Sequence, residues 1–219
     1  NKIVVLFCKI TTQFRSFAAM ENSISDIIER KIENYKGGSI VVQADFRGIG
    51  TAAAINISLS RLAGKGKLRR LAHSIYYKPK TDALFGELVP SPEDVAETIA
   101  RKERIRIRPS GAYALHKLGI STQVPTKLVY LTDGQRRKIN IGKTQINFKP
   151  TTSRKMALKG ALSSLVIQAL EELGTGDIQE NVQTKLKDYL LKESPQNLKH
   201  DLALAPAHIH DFILKLLKQ

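Results

Sequence analysis

The 219-residue sequence has no tryptophan, two methionines and a single cysteine. The lone Cys8 excludes an intrachain disulfide framework and a zinc site built from several cysteines, which fits a reducing cytoplasm. Aromatic residues make up 6% of the chain, which disfavours recognition of unpaired bases by stacking. No stretch approaches the roughly 20 apolar residues of a membrane-spanning helix. Acidic residues are sparse where basic ones are dense, so the paired carboxylates of two-metal nuclease chemistry are hard to find.

Other catalytic signatures are missing too. The histidines are His73, His116, His200, His208 and His210. Only His208 and His210 are close, and two positions apart on a helix they face different ways. "GKGK" at Gly64 lacks the spacing and preceding strand of a phosphate-binding loop. Ser110 in "PSGAY" lacks the small-residue elbow of a nucleophilic serine. No catalysis, cofactor or metal is expected.

What the chain has in excess is positive charge, +15 in total, unevenly placed. Residues 1–83 hold 14 Lys/Arg against 6 Asp/Glu, residues 84–160 hold 15 against 6, and residues 161–219 hold 6 against 8. A polyanion suits such a surface, because neutralising phosphates releases counterions. The competing reading is a solubilising surface. The length suits one large domain or two small ones.

Residues 1–19 carry a short apolar run, Ile3 to Cys8, broken by Lys9. That run is marginal for a secretory signal. These residues are expected to be an extension outside the fold, with the working protein starting near Met20.

Residues 20–83 are expected to form a winged helix-turn-helix. Ile24, Ile27, Ile28 and Ile32 recur at helical spacing, and Gly37 and Gly38 stop that helix. A short strand at "SIVV" and one helical turn at "ADF" follow. Thr51 is placed to cap a helix through Ala63 that buries Ile55, Ser58, Leu59 and Leu62. Its opposite side carries Ala53, Asn56, Ile57, Ser60 and Arg61. "KLRRLAH" and "SIYYKP" read as two strands turning near Ser74, with one of Tyr76 and Tyr77 facing the core. In such a module the second helix enters the major groove. Ala53 and Ser60 permit close approach, Asn56 suits adenine and Ile57 a thymine methyl. Arg61 reaches a phosphate or a base edge, while Lys65, Lys67, Arg69, Arg70 and Lys78 hold the backbone. A winged fold used for protein contact is the alternative.

Residues 84–219 are expected to form an α+β domain with a small central α/β region and a C-terminal helical bundle. "SPED" starts a helix with Ser91 as cap and Pro92 at its first position. In "RIRIRP", Ile105 and Ile107 alternate with Arg104, Arg106 and Arg108, predicting a half-buried strand with a cationic face. With Ser110 and Tyr113, these arginines form a candidate surface for nucleic acid or an acidic partner. A charged edge strand, and a core role for Tyr113, are the alternatives. "KLVYL", "RKINI" and "TQINF", joined at Asp133-Gly134 and Gly142-Lys143, predict a three-stranded antiparallel meander. "ALSSLVIQALEEL", apolar nearly all round, predicts a buried helix closed by Gly174, followed by three more helices.

The blocks "RGIGTAAAINISLSRLAGKGKLRRLAHSIYYKPK", "SPEDVAETIARK", "IRPSGAYALHKLGISTQVPTKLVYLTDG" and "KPTT" together resemble the AbiEi-like antitoxins of bacterial abortive-infection systems. The resemblance runs from about Met20 to the end of the chain. It implies a cytoplasmic regulator whose winged helix represses its own operon by binding double-stranded promoter DNA. It also implies a nucleotidyltransferase-like toxin as the cognate partner, opposed directly or indirectly, without a membrane. Two DNA half-sites would call for a homodimer or cooperative binding. An RNA-binding, tRNA-associated protein and a nucleic-acid-processing enzyme are the other readings.

Overall fold

In the computed structural model, residues 23–218 are described, so the expected extension at residues 1–19 lies outside them. The fold is mixed α+β. The chain divides into two compact units between Pro90 and Ser91, so residues 84–90 go with the first unit.

The first unit begins with α1, Ile24–Glu33, set by a capping box in which Ser23 and Asp26 each accept from the other's backbone N–H. Ile28 and Ile32 are buried, whereas Ile27, expected inward, is 38% exposed because it lies at the edge of the apolar stripe. Strand β1 is Ile40–Val42, followed by a 3₁₀ turn at Gln43–Phe46. Helix α2 is Ala52–Gly64, with the Thr51 hydroxyl accepting from the Ala54 N–H. Strands β2, Arg69–Ala72, and β3, Ile75–Tyr77, complete an antiparallel sheet of order β1-β3-β2. Ser74 turns between them with a left-handed φ of 57°. Ile28, Ile32, Val41, Phe46, Ile55, Leu59, Leu62, Leu68 and Tyr76 share one core.

As expected, one of the two tyrosines faces the core, and the other is buried as well. Tyr76 faces the core. Tyr77 is covered by a hairpin that follows, β4 at Thr81–Asp82 and β5 at Gly86–Glu87, and donates its hydroxyl to Glu87 at 2.7 Å. Burial, then the Glu87 carboxylate, pushes the Tyr77 hydroxyl pKa up to about 12, so it remains a donor.

In the second unit, α3 spans Pro92–Glu103, with the Ser91/Asp94 capping box and Pro92 in its first turn. Strand β6 is Ile107–Ser110 and α4 is Ala112–Lys117. Strands β7, Lys127–Thr132, β8, Arg137–Ile141, and β9, Thr144–Pro150, join β6 in the order β6-β7-β9-β8. This is not the expected meander, because β9 lies between β7 and β8 and runs parallel to β7. Gly142-Lys143 does make a tight turn, with Ile141 paired to Thr144. Asp133-Gly134 does not. Asp133 accepts from the Arg106 backbone N–H and Nε, both at 2.8 Å, and a Cβ on Gly134 would come within 2.9 Å of Ile105. The chain is thereby held beside the β6 approach and cannot turn straight back onto β7.

One sheet face buries Leu128, Tyr130, Ile139, Ile141, Ile146 and Phe148. After a short α5, Ser153–Met156, come α6, Ala161–Leu173, α7, Glu180–Lys192, α8, Pro195–Leu204, and α9, Ala207–Lys218. Helices α4, α6, α7 and α9 share a second core that includes Leu118, Val166, Leu170, Leu186, Leu190, Ile209 and Ile213. Helix α6 has Gly160 before it and no cap from its own side chain. Carboxylates from later in the chain do that work. Asp201 accepts from Lys159 N–H, Gly160 N–H and the Ser163 hydroxyl at 2.7, 2.9 and 2.6 Å, and Glu193 accepts from Leu162 and Ser163 N–H.

Burial raises the Asp201 pKa, but the bonds from His200, Ser163, Lys159 and Gly160 outweigh it and hold the carboxyl below the usual aspartate range. The folded-state pKa is depressed, so this stabilisation is complete above an unfolded value of about 3.9 and is lost as pH falls through the folded value. Asp201→Ala should cost about 3 kcal/mol, measured by urea unfolding at pH 7, because two buried donors and one half-buried donor lose their acceptor. The difference between wild type and variant should shrink on acidification below about pH 4.

Candidate nucleic-acid interface

Helix α2 separates its residues as the 3.6-residue period demands. Ile55, Ser58, Leu59 and Leu62 are buried, while Ala53, Ser60 and Arg61 are exposed and Ile57 is 53% exposed. Thr51 sits at the N-cap, also exposed. Asn56 is half-buried, and its Oδ1 is enclosed without a partner. The amide must therefore rotate before both of its ends can reach a base edge, which needs the oxygen and the nitrogen together. The outward face is otherwise low in relief, the shape that lets backbone approach a groove.

The cations near this helix fall into two groups. Lys67 bonds Glu29 at 2.5 Å and Glu33 at 3.0 Å. The hydrogen bond from Lys67 holds the Glu29 carboxyl below its usual range, and Glu29 and then Glu33 raise the Lys67 ammonium. Arg69 pairs with Glu87 at 3.3 Å. These charges are largely satisfied within the unit. Lys65 lies 3.8 Å from Glu29 with its side chain 63% exposed. Arg70 is exposed, bonded only to the Ala72 carbonyl and the His73 ring at 3.4 Å. Arg61, Lys65 and Arg70 thus carry the available charge beside the exposed face of α2.

Lys78 is not a surface cation. Its ammonium donates to the carbonyls of Ile32, Glu33 and Tyr35 at 3.2, 2.8 and 2.8 Å, closing the C-terminus of α1. Nothing local in the sequence signals this, because the acceptors lie more than forty residues earlier.

The second expected surface does not assemble. Strand β6 starts only at Ile107, and Arg104 ends α3 in a left-handed conformation, φ 60°. Arg106 is bound to Asp133 and the Met156 carbonyl. Arg108 turns inward and donates to the Ser164 hydroxyl and the Leu158 carbonyl. Ser110 donates to Gln168 at 3.1 Å. Tyr113 is 1% exposed, stacked edge-on against Tyr130 and accepting from its hydroxyl. Of the three arginines only Arg108 lies within the strand, and α6 covers the sheet there.

Among the described residues no group of three or more His, Cys, Asp or Glu side chains is gathered for a metal ion, and no helix is long and apolar enough to cross a membrane. The two groups of cations should respond differently to replacement. Lys78→Met, which keeps the stem and removes the ammonium, should destabilise the first unit by about 2 kcal/mol in urea unfolding. Arg70→Ala should change stability by no more than about 0.5 kcal/mol.

No curated protein matches the chain. A family model matches residues 27–198, spanning both units. The chain belongs to the family DUF6088, a family of unknown function.

Proposed function

We propose that the chain is a DNA-binding transcriptional repressor whose first unit is a winged helix-turn-helix. The observation that carries this reading is α2, which buries a complete apolar stripe and leaves Ala53, Ile57, Ser60 and Arg61 outward, with Asn56 at the margin. The element order supports it: helix, short strand, 3₁₀ turn, helix, two-stranded ribbon. In such modules the second full helix enters the major groove and the ribbon lies along the backbone. Arg61, Lys65 and Arg70 hold phosphates, and Asn56, Ile57 and Ser60 meet base edges. Lys67, Arg69 and Lys78 serve the fold of the unit.

The AbiEi-like resemblance extends this proposal to autoregulation of an operon in the cytoplasm and to antitoxin action against a nucleotidyltransferase-like toxin. Operator binding as a homodimer, or cooperatively on paired half-sites, follows from the same reading. The protein itself is proposed to be non-catalytic.

Binding of the purified chain to its own upstream duplex and to a scrambled duplex, across a salt series, tests the repressor reading. The upstream duplex should win by about 10³-fold or more at physiological salt. Asn56→Ala should erode that preference by about 1–3 kcal/mol. Arg61→Ala with Arg70→Ala should weaken both duplexes and lower the salt slope by about two. Equal binding to both duplexes would remove the repressor.

A further inference from the structure

The second unit has a sheet face to which the proposed function gives no role. The strand register places three rows on the side opposite the buried aromatic face. The first row is Lys127, Gln145 and Asn140. The second is Val129, Asn147 and Lys138. The third is Leu131 and Lys149. Lys127, Lys138, Asn140 and Lys149 are exposed, and the other four are half-buried. Helix α6 covers this side at β6 through Arg108 and Ser110, and the side chains at the β9–β8 margin remain in solvent.

The face contains no carboxylate. The acids nearest in sequence are already engaged: Asp133 with Arg106, and Glu103 with Arg137. Lys127, Lys138 and Lys149 have no ion-pair partner among the described residues. Gln145 donates to the Asn140 Oδ1 at 2.9 Å, which leaves the Asn140 amide hydrogens for another acceptor. Lysines on an edge strand such as β8 can simply prevent sheet-to-sheet pairing. That explanation does not reach Lys127 and Lys149, which lie on the inner strands β7 and β9.

We infer that this face is a second phosphate-binding surface, engaging the backbone of the duplex DNA that the first unit reads. The inference rests on the proposed function for its choice of DNA. The three lysines lie within about 15 Å of one another by strand spacing, enough to meet successive phosphates. Carboxamides between them add neutral donors of the kind that bind phosphate oxygens. The face carries no aromatic side chain, so it lacks the platform on which an unpaired base stacks. A duplex, which presents phosphates outward, fits it better than a single strand.

The test uses the full chain and a triple variant, Lys127→Ala, Lys138→Ala and Lys149→Ala, after checking that its melting temperature matches wild type. Binding is measured across a salt series on the upstream duplex, a scrambled duplex and an RNA duplex of the same length. The triple variant should lose about two to three in the slope of log K against log salt, since each phosphate contact contributes about 0.9. The ratio of upstream to scrambled affinity should stay within about twofold, because the face reads no bases. An unchanged slope with intact DNA binding would overturn this inference and leave the repressor standing. A reduced slope with equal binding to both duplexes would keep the surface and overturn sequence reading by the first unit. Wild-type binding to RNA alone, weakened by the variant, would overturn the DNA assignment and give the face to RNA.

Discussion

The internal pairing of a scarce set of carboxylates decides which cations of this chain are left for a partner. With 20 acidic residues against 35 basic ones, ion pairs cannot satisfy every Lys and Arg. Glu29 and Glu33 take Lys67, Glu87 takes Arg69, Asp133 takes Arg106, Glu103 takes Arg137 and Glu171 takes Lys155. Most of these pairs join elements far apart in sequence and so bear on how helices and strands are held. Each is partly exposed, and a single exposed pair contributes little to stability. Their larger consequence is electrostatic. The surplus includes Arg61 and Arg70 in the first unit and Lys127, Lys138 and Lys149 in the second.

Local signals in the sequence were strong wherever structure is set by neighbours along the chain. The cap at Thr51, the capping box at Ser91 and Asp94, and the division of α2 into buried and exposed sides all follow from i, i+3 and i+4 relations. Long-range chemistry was not legible. Lys78 looks like a wing cation until α1 is folded against it, and the Arg106–Arg108 run looks like a cationic face until α6 and Asp133 arrive. The expected β7–β8 hairpin fails for the same reason. Asp-Gly is a good hairpin signal, but Asp133 gains two charge-assisted bonds by serving Arg106 instead. The β4–β5 hairpin was missed because its strands are two residues each, too short to show a period.

The start of α6 shows what such distant pairing does for the fold. Gly160 is the residue before the helix because a Cβ there would fall 2.1 Å from the Ser163 hydroxyl and 2.5 Å from Glu193. Only glycine lets two carboxylates from the α7–α8 region close over the helix end. Arg108 lies in the field of Asp201, and burial lowers its own pKa against that attraction. One polar network thus fixes the β6 strand, the α6 helix and the α8 helix together. The arginine that the sequence offered for a partner is instead half-buried and tied into the fold, and substitution there would be read as instability.

Sequence discrimination by this protein, in the proposed reading, has to come from very few atoms. Lysines and surface carboxamides meet phosphates alike in every sequence, so the sheet face of the second unit adds affinity and salt dependence without selectivity. Linking two such binding units in one chain raises the effective concentration of the second once the first is bound. That gain applies equally to operator and to random DNA. The ratio between them must then rest on Asn56, Ile57 and Ser60, each worth at most about 1–3 kcal/mol per base contact. A repressor with so narrow a reading head gains the rest of its selectivity by doubling it across two half-sites, since free energies of discrimination add across independent sites. The proposed homodimer or cooperative pair would therefore multiply the discrimination that a lone bound copy achieves.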